Sequence, residues 1–236
     1  MHGAYHGAWC WQDWADRWNA QGVPVAAIDL PGRPSLPSAA SLVNLDVADM
    51  SRSVAAAAQI CAQPLIGVGH SLGALVLAKA AETHAFDGLI LLAPSPPGNL
   101  HGARTVVAKP SDTPVAPPDI ETYQRLYLGG LVDTAGWHRR LCAESPAALN
   151  DRYRLKVSVR PHLAPYGVVV EAGREERTRH PDGQDAAVAR HFAFEHVLLP
   201  EAAHCMMHQA TGGRAFDTVN RWVSESADIQ AQAIAK

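Results

Sequence analysis

The segment PLIGVGHSLGALVLAKAAE, residues 64–82, constrains the fold more than any other stretch of this 236-residue chain. An apolar run of strand length (LIGV) passes through Gly69-His70-Ser71-Leu72-Gly73 directly into a helix-forming run. A sharp strand-to-helix turn accommodates this pattern. Its glycines let the backbone bend, and the bend leaves the Ser71 hydroxyl exposed at a helix N-terminus. The overlapping Gly67, Gly69 and Gly73 do not reproduce the G-x-G-x-x-G spacing of a dinucleotide turn, and the next strand does not end on an acidic residue.

The same alternation recurs along the chain. Short apolar runs at 23–28 (VPVAAI), 65–68, 89–92 (LILL), 168–170 and 197–199 are separated by helix-like segments. This predicts an α/β fold with a mostly parallel sheet covered by helices on both faces. Helices are expected at about 42–63, 71–83, 184–192 and from 210 towards the C-terminus. Trp11, Trp14 and Trp18 form a stripe at helical spacing, with Gly22 as its C-cap, and read as core. The rhythm breaks once: after 89–92 the next strand waits until about residue 167, far beyond an ordinary connection. Residues 94–118 of that gap hold seven prolines, and short helical pieces broken at Gly129, Gly130 and Pro146 follow. Residues 1–94 and 166–236 are therefore expected to form the core, with 95–165 inserted as a cap over the carboxyl edge of the sheet, where open α/β sheets bind ligands.

Composition narrows the partners. A formal charge of −3 without a dense Lys/Arg block gives no electrostatic footprint for nucleic acid. No apolar run reaches the ~20 residues of a membrane span, and the opening MHGAYHGAWCW lacks the pattern of a signal peptide, so a cytoplasmic protein is expected. Cys10, Cys61, Cys142 and Cys205 are dispersed without a CxxC pair, which predicts reduced thiols and no metal or other cofactor.

A serine nucleophile needs a base, an orienting acid and donors for the oxyanion. With the order serine, acid, histidine, the base belongs near the C-terminus, and His204 in VLLPEAAHCMMHQ follows the last strand. His208 competes from nearby and otherwise reads as a surface residue; His196 reads as packing or surface. The acid belongs in GREERTRHPDGQD, where Glu176, three residues past Gly173, is the expected partner of His204 and Glu175 the next choice. The oxyanion donors are expected to be the backbone N–H groups of Leu72 and Ala4. Tyr5, Trp9 and His70 are the candidate substrate contacts.

Taken together, HGAYHGAWCW, VPVAAIDLPG, GHSLG and AHCMM resemble the α/β-hydrolase superfamily, and most closely its branch of plant methyl esterases and hydroxynitrile lyases. The resemblance covers most of the chain outside the insertion. It implies the α/β-hydrolase fold, Ser71 as nucleophile, His204 as base, Ala4 and Leu72 as oxyanion donors, and Glu176 where the family usually has aspartate. The lyases carry Thr in place of Gly3 and Lys in place of Cys205, so the esterase side of the branch is implied. The expected reaction is cleavage of a small, largely apolar carboxylic ester. Thioesterase, lactonase, carbon–carbon hydrolase or acyltransferase activity, a receptor-like binding role and an inactive homologue are the alternatives. The family also places a strand before the His-Gly turn, between 23–28 and the strand of the elbow. This sequence opens at Met1, directly before His2. A late-starting record is therefore expected, and the missing strand would leave ladder groups unpaired.

Overall fold

The computed structural model describes residues 1–37, 41–131, 134–178 and 180–234. Four parallel strands, β1 (Ile66–His70), β2 (Gly88–Leu92), β3 (Tyr166–Ala172) and β4 (Glu195–Leu199), form one sheet in that order. In register, Val68 faces Ile90, Ile90 faces Val168, and Val170 faces Val197. Because all strands run the same way, the loops after β1, β2, β3 and β4 meet at one edge.

The described helices are α1 (Gln12–Asn19), α2 (Val47–Ala58), α3 (Leu72–Ala80), α4 (Ile120–Tyr127), α5 (Ala135–His138), α6 (Pro146–Tyr153), α7 (Gln184–Phe192), α8 (Gln209–Gly212) and α9 (Ala215–Ile234). Alternation along β2 shows how the sheet is covered. Leu89 and Leu91 enter a core with Met50 and Val54 of α2, Leu75 and Leu77 of α3, and Val188 and Phe192 of α7. Ile90 and Leu92 enter the opposite core with Trp14 and Trp18 of α1 and Phe216, Val219 and Trp222 of α9. Successive side chains of a strand point to opposite faces, so one apolar run serves both layers. The tryptophan stripe is core as expected, with Trp14 1% exposed.

Three expectations change. Residues 23–28 carry no strand, and Val23 is exposed. The edge of β1 is instead met by Met1, whose terminal amine donates to Val68 O at 2.5 Å and whose carbonyl accepts from His70 N at 3.1 Å. An apolar run without a ladder partner does not become a strand. The helix expected from 42 begins later, because Asp46 and Asp49 form a reciprocal capping box at the start of α2, after a 3-10 turn at Leu42–Asn44. The last helix is interrupted at Gly213, which adopts φ +53 between α8 and α9. Among the described residues, no helix is long and apolar enough to cross a membrane.

Candidate active site

Ser71 sits between β1 and α3 at φ +53, ψ −120, the strained backbone of a strand-to-helix elbow. Its N–H donates to Leu92 O at 2.9 Å and its carbonyl accepts from Ser95 N at 3.1 Å, which pins the bend to the end of β2. The glycines permit close approach. A Cβ on Gly73 would lie 2.2 Å from His2 O, and one on Gly3 would lie 2.8 Å from His70 Nδ1 and 3.0 Å from the Ser71 Cβ. Leu72 is the first residue of α3, so its N–H is one of the helix donors without an intrahelical acceptor. Residues 2–4 thus pack against the elbow, where an N–H from each side can meet.

His204 lies on the loop after β4, is 5% exposed, and places Nδ1 2.6 Å from Glu175 Oε1. The carboxylate only accepts, so Nδ1 carries the proton and Nε2 is left as the basic nitrogen. His204 and Ser71 line one cavity of about 40 Å³, together with Ser95, Val106, Leu126, Tyr127, Arg152, Tyr153, Glu175, Glu176 and His180. Six of these residues, Ser95 and those from Val106 to Tyr153, come from the connection between β2 and β3. A broader depression of about 510 Å³ shares Glu175 and Glu176 with the cavity but contains neither Ser71 nor His204. The smaller cavity is therefore the candidate site.

Glu176 is not the partner of His204. The chain stays tied to the neighbouring loop for two residues beyond β3, through Gly173 N to Leu199 O (2.8 Å) and Arg174 N to Ala202 O (2.9 Å). Glu175 is then delivered on the His204 side, whereas the Glu176 carboxylate turns back to accept from the N–H and hydroxyl of Thr178.

Three expected substrate contacts also change. Tyr5 is buried in the core, and Trp9 stacks on His6 and His208 beneath the Arg140 guanidinium. His70 is 1% exposed and donates from Nε2 to His204 O at 2.9 Å, which fixes the base's backbone rather than meeting a substrate. None of the three lines the cavity. His208 is 6% exposed rather than at the surface, and His196 pairs with Glu171 at 2.8 Å on the sheet.

Two groups that sequence reasoning did not single out complete the arrangement. His180 packs on His204 with ring centroids 5.0 Å apart, and Asp185 approaches its Nδ1 at 3.7 Å. Burial lowers the His180 pKa, but the charges of Glu175 and Asp185 outweigh it and hold the imidazole above its usual range; Arg152 opposes them. The second group is Glu144, from the inserted segment. Its carboxylate accepts from Tyr5 N at 3.1 Å and Ser145 N at 2.8 Å and pairs with Arg33, both partners being about 1% exposed. Arg33 Nε in turn donates to His6 O. The loop bearing Ala4 is thus fastened by a buried ion pair.

The Alpha/beta hydrolase family model matches residues 1–215. A probable esterase of rice (Oryza sativa subsp. indica) is 38% identical over 84 residues, 35% of this chain and 32% of the relative, so the match spans about a third of that protein's length. A methylesterase from Arabidopsis superposes with a TM-score of 0.73 at 21% identity, over 95% of this chain and 97% of the other. Tomato methylketone synthase I, solved with 2-tridecanone, superposes with a TM-score of 0.71 at 17% identity over 96% of each chain. At these identities the two structures establish a shared fold.

Proposed function

Because the chain belongs to the alpha/beta hydrolase family, we propose that it is a serine hydrolase that cleaves a small, largely apolar carboxylic ester through an acyl-enzyme. Residues 1–94 and 166–236 act as the catalytic core in this reading and 95–165 as its cap. The observation that carries the proposal is the 2.6 Å contact of Glu175 with His204, beside a cavity that Ser71 shares.

Ser71 Oγ attacks the ester carbonyl while His204 Nε2 takes its proton, and Glu175 holds the resulting imidazolium. The N–H groups of Ala4 and Leu72 receive the oxyanion; a single donor of this kind is worth about 3 kcal/mol of transition-state stabilisation. Collapse expels the alcohol, which takes the proton from His204, and water activated by the same histidine releases the acid. Val106, Leu126, Tyr127 and Tyr153 supply the apolar wall for the substrate. Esterase relatives in both comparisons favour the ester over other acyl compounds.

Hydrolysis of p-nitrophenyl acetate that is abolished in Ser71→Ala, with fluorophosphonate labelling at Ser71, is the expected result. Labelling with negligible turnover of any ester would replace the enzyme by a ligand-binding role, and a wild-type protein that is neither labelled nor active would refute the proposal.

A further inference from the structure

Three buried side chains that can ligate metals, one from the opening of the chain and two from the turn after His204, converge. His6, Cys205 and His208 each offer a ligand atom, and these atoms lie within 4.8 Å of one another. We propose that they form a binding site for a first-row divalent cation of borderline softness, zinc in the first place, with the Tyr123 hydroxyl as fourth donor.

The tautomer of His6 suits the role. Its Nδ1 lies 2.9 Å from Ala4 O, a group that can only accept, so the proton sits on Nδ1 and a lone pair is presented at Nε2. Ligating histidines commonly donate their other ring N–H to a backbone carbonyl in this way. Nε2 lies 3.0 Å from the Tyr123 hydroxyl and 3.7 Å from Cys205 Sγ. Zinc–nitrogen and zinc–sulfur bonds of normal length at a tetrahedral angle set the two atoms roughly 3.5 Å apart. The observed spacing is close to what an ion requires.

His208 is the second argument. It is 6% exposed, and its Nε2 is buried without a hydrogen-bond partner among the described residues. An orphaned buried nitrogen calls for a water, an ion or a functional reason. The ring is held by stacking on Trp137 (4.2 Å, 8°) and Trp9 (5.7 Å, 20°).

In sequence, Cys205-Met206-Met207-His208 is a C-x-x-H on the turn closed by His208 N to Cys205 O (3.2 Å). Its third member lies 199 residues away. On binding, the Cys205 thiol releases its proton to solvent and the thiolate bonds to the ion, with no electron transfer. Such an ion would clasp the loop bearing Ala4 to the loop bearing His204, a structural role independent of the hydrolytic reading.

Cobalt(II) is the probe. Titrated into metal-free protein, it is expected to saturate at one ion per chain and to produce a thiolate-to-cobalt charge-transfer band with the intense visible bands of a four-coordinate ion, all displaced by zinc. Cys205→Ser should abolish the charge-transfer band and His208→Leu should abolish four-coordinate binding, whereas His180→Ala, at the separate Glu175/His180/His204 cluster, should retain both. Zinc should raise the Tm of the wild type and leave that of His208→Leu unchanged, provided circular dichroism shows the variant folded; if it does not fold, His208→Gln takes its place. Absence of the charge-transfer band in the wild type, or bands unaltered by substitution of His208, would overturn the proposal.

Discussion

The buried pair Arg33–Glu144 offers a stringent test of how the site is built, because it holds the loop of Ala4 rather than touching a substrate. Glu144 is 0% exposed and serves Arg33, Tyr5 N and Ser145 N at once. The carbonyl of Tyr5 accepts from Cys142 N at 2.8 Å, so residue 5, at φ +65, is clamped to the inserted segment from both sides. Glu144→Ala leaves Arg33 charged and unpaired in the interior, a loss of about 3–5 kcal/mol. For a chain of this size that lowers Tm by roughly 6–20 °C. Replacing both partners with apolar residues of similar bulk, Arg33→Met with Glu144→Leu, removes the stranded charge and should recover most of that stability. It removes the Glu144 acceptor of Tyr5 N, however, so the N–H proposed at Ala4 for the oxyanion loses its aim. A misplacement of this kind costs on the order of 10²-fold in kcat. Thermal unfolding and p-nitrophenyl acetate kinetics on the single and double variants separate the two effects. A double variant that regains kcat along with stability would refute the reasoning, as would a Glu144→Ala protein as stable as the wild type.

Three further substitutions test individual assignments. Glu175→Gln removes the negative charge and can present an amide N–H to Nδ1, which favours the wrong His204 tautomer and should lower kcat by about 10⁴-fold, whereas Glu176→Gln should have little effect; equal effects in steady-state assays would reject the pairing. His180, raised above its ordinary 6.5 by Glu175 and Asp185 against the desolvation of burial and the charge of Arg152, contributes stability that is complete below that value and lost as pH rises through the elevated one. Chemical denaturation should show the stability gap between wild type and His180→Gln narrowing as the pH rises above 6.5, and a gap independent of pH would show that the imidazole does not titrate in this way.

The parts of the fold that were readable from the chain are those fixed by local patterning. Runs 89–92, 168–170 and 197–199 fall within β2 to β4, run 65–68 overlaps β1 from Ile66 on, and the helix expected at 184–192 is α7. The elbow was equally plain, because its glycines are demanded by contacts within a few residues or with the adjacent loop. What escaped was set by partners distant in sequence. Residues 23–28 have strand composition, but a strand is completed by its neighbour, and composition carries no information about whether one is there. Glu175 and Glu176 are chemically alike, and hydrogen bonds to a loop distant in sequence, Gly173 to Leu199 and Arg174 to Ala202, set which one turns towards His204. The approach of Cys205 Sγ to within 3.7 Å of His6 Nε2, across 199 residues of chain, is likewise invisible in the spacing of the cysteines. Tyr5, Trp9 and His70, expected at the substrate, are taken up by core packing, by ring stacking and by the His204 carbonyl.

Helices α4 and α6 of the connection between β2 and β3 contribute Leu126, Tyr127, Arg152 and Tyr153 to the wall of the cavity beside Ser71. Leu126 is only partly buried, so trimming it enlarges the cavity at modest cost in stability. In an apolar pocket a methylene group changes kcat/KM by about tenfold or more. If the wall limits acyl length, Leu126→Ala should raise kcat/KM for p-nitrophenyl butyrate relative to the acetate by at least that factor, with little change for the acetate itself. An unchanged ratio would mean that the acyl group does not lie against α4, and the wall of the site would have to be redrawn towards the depression bounded by Arg125, Gly130 and Arg174.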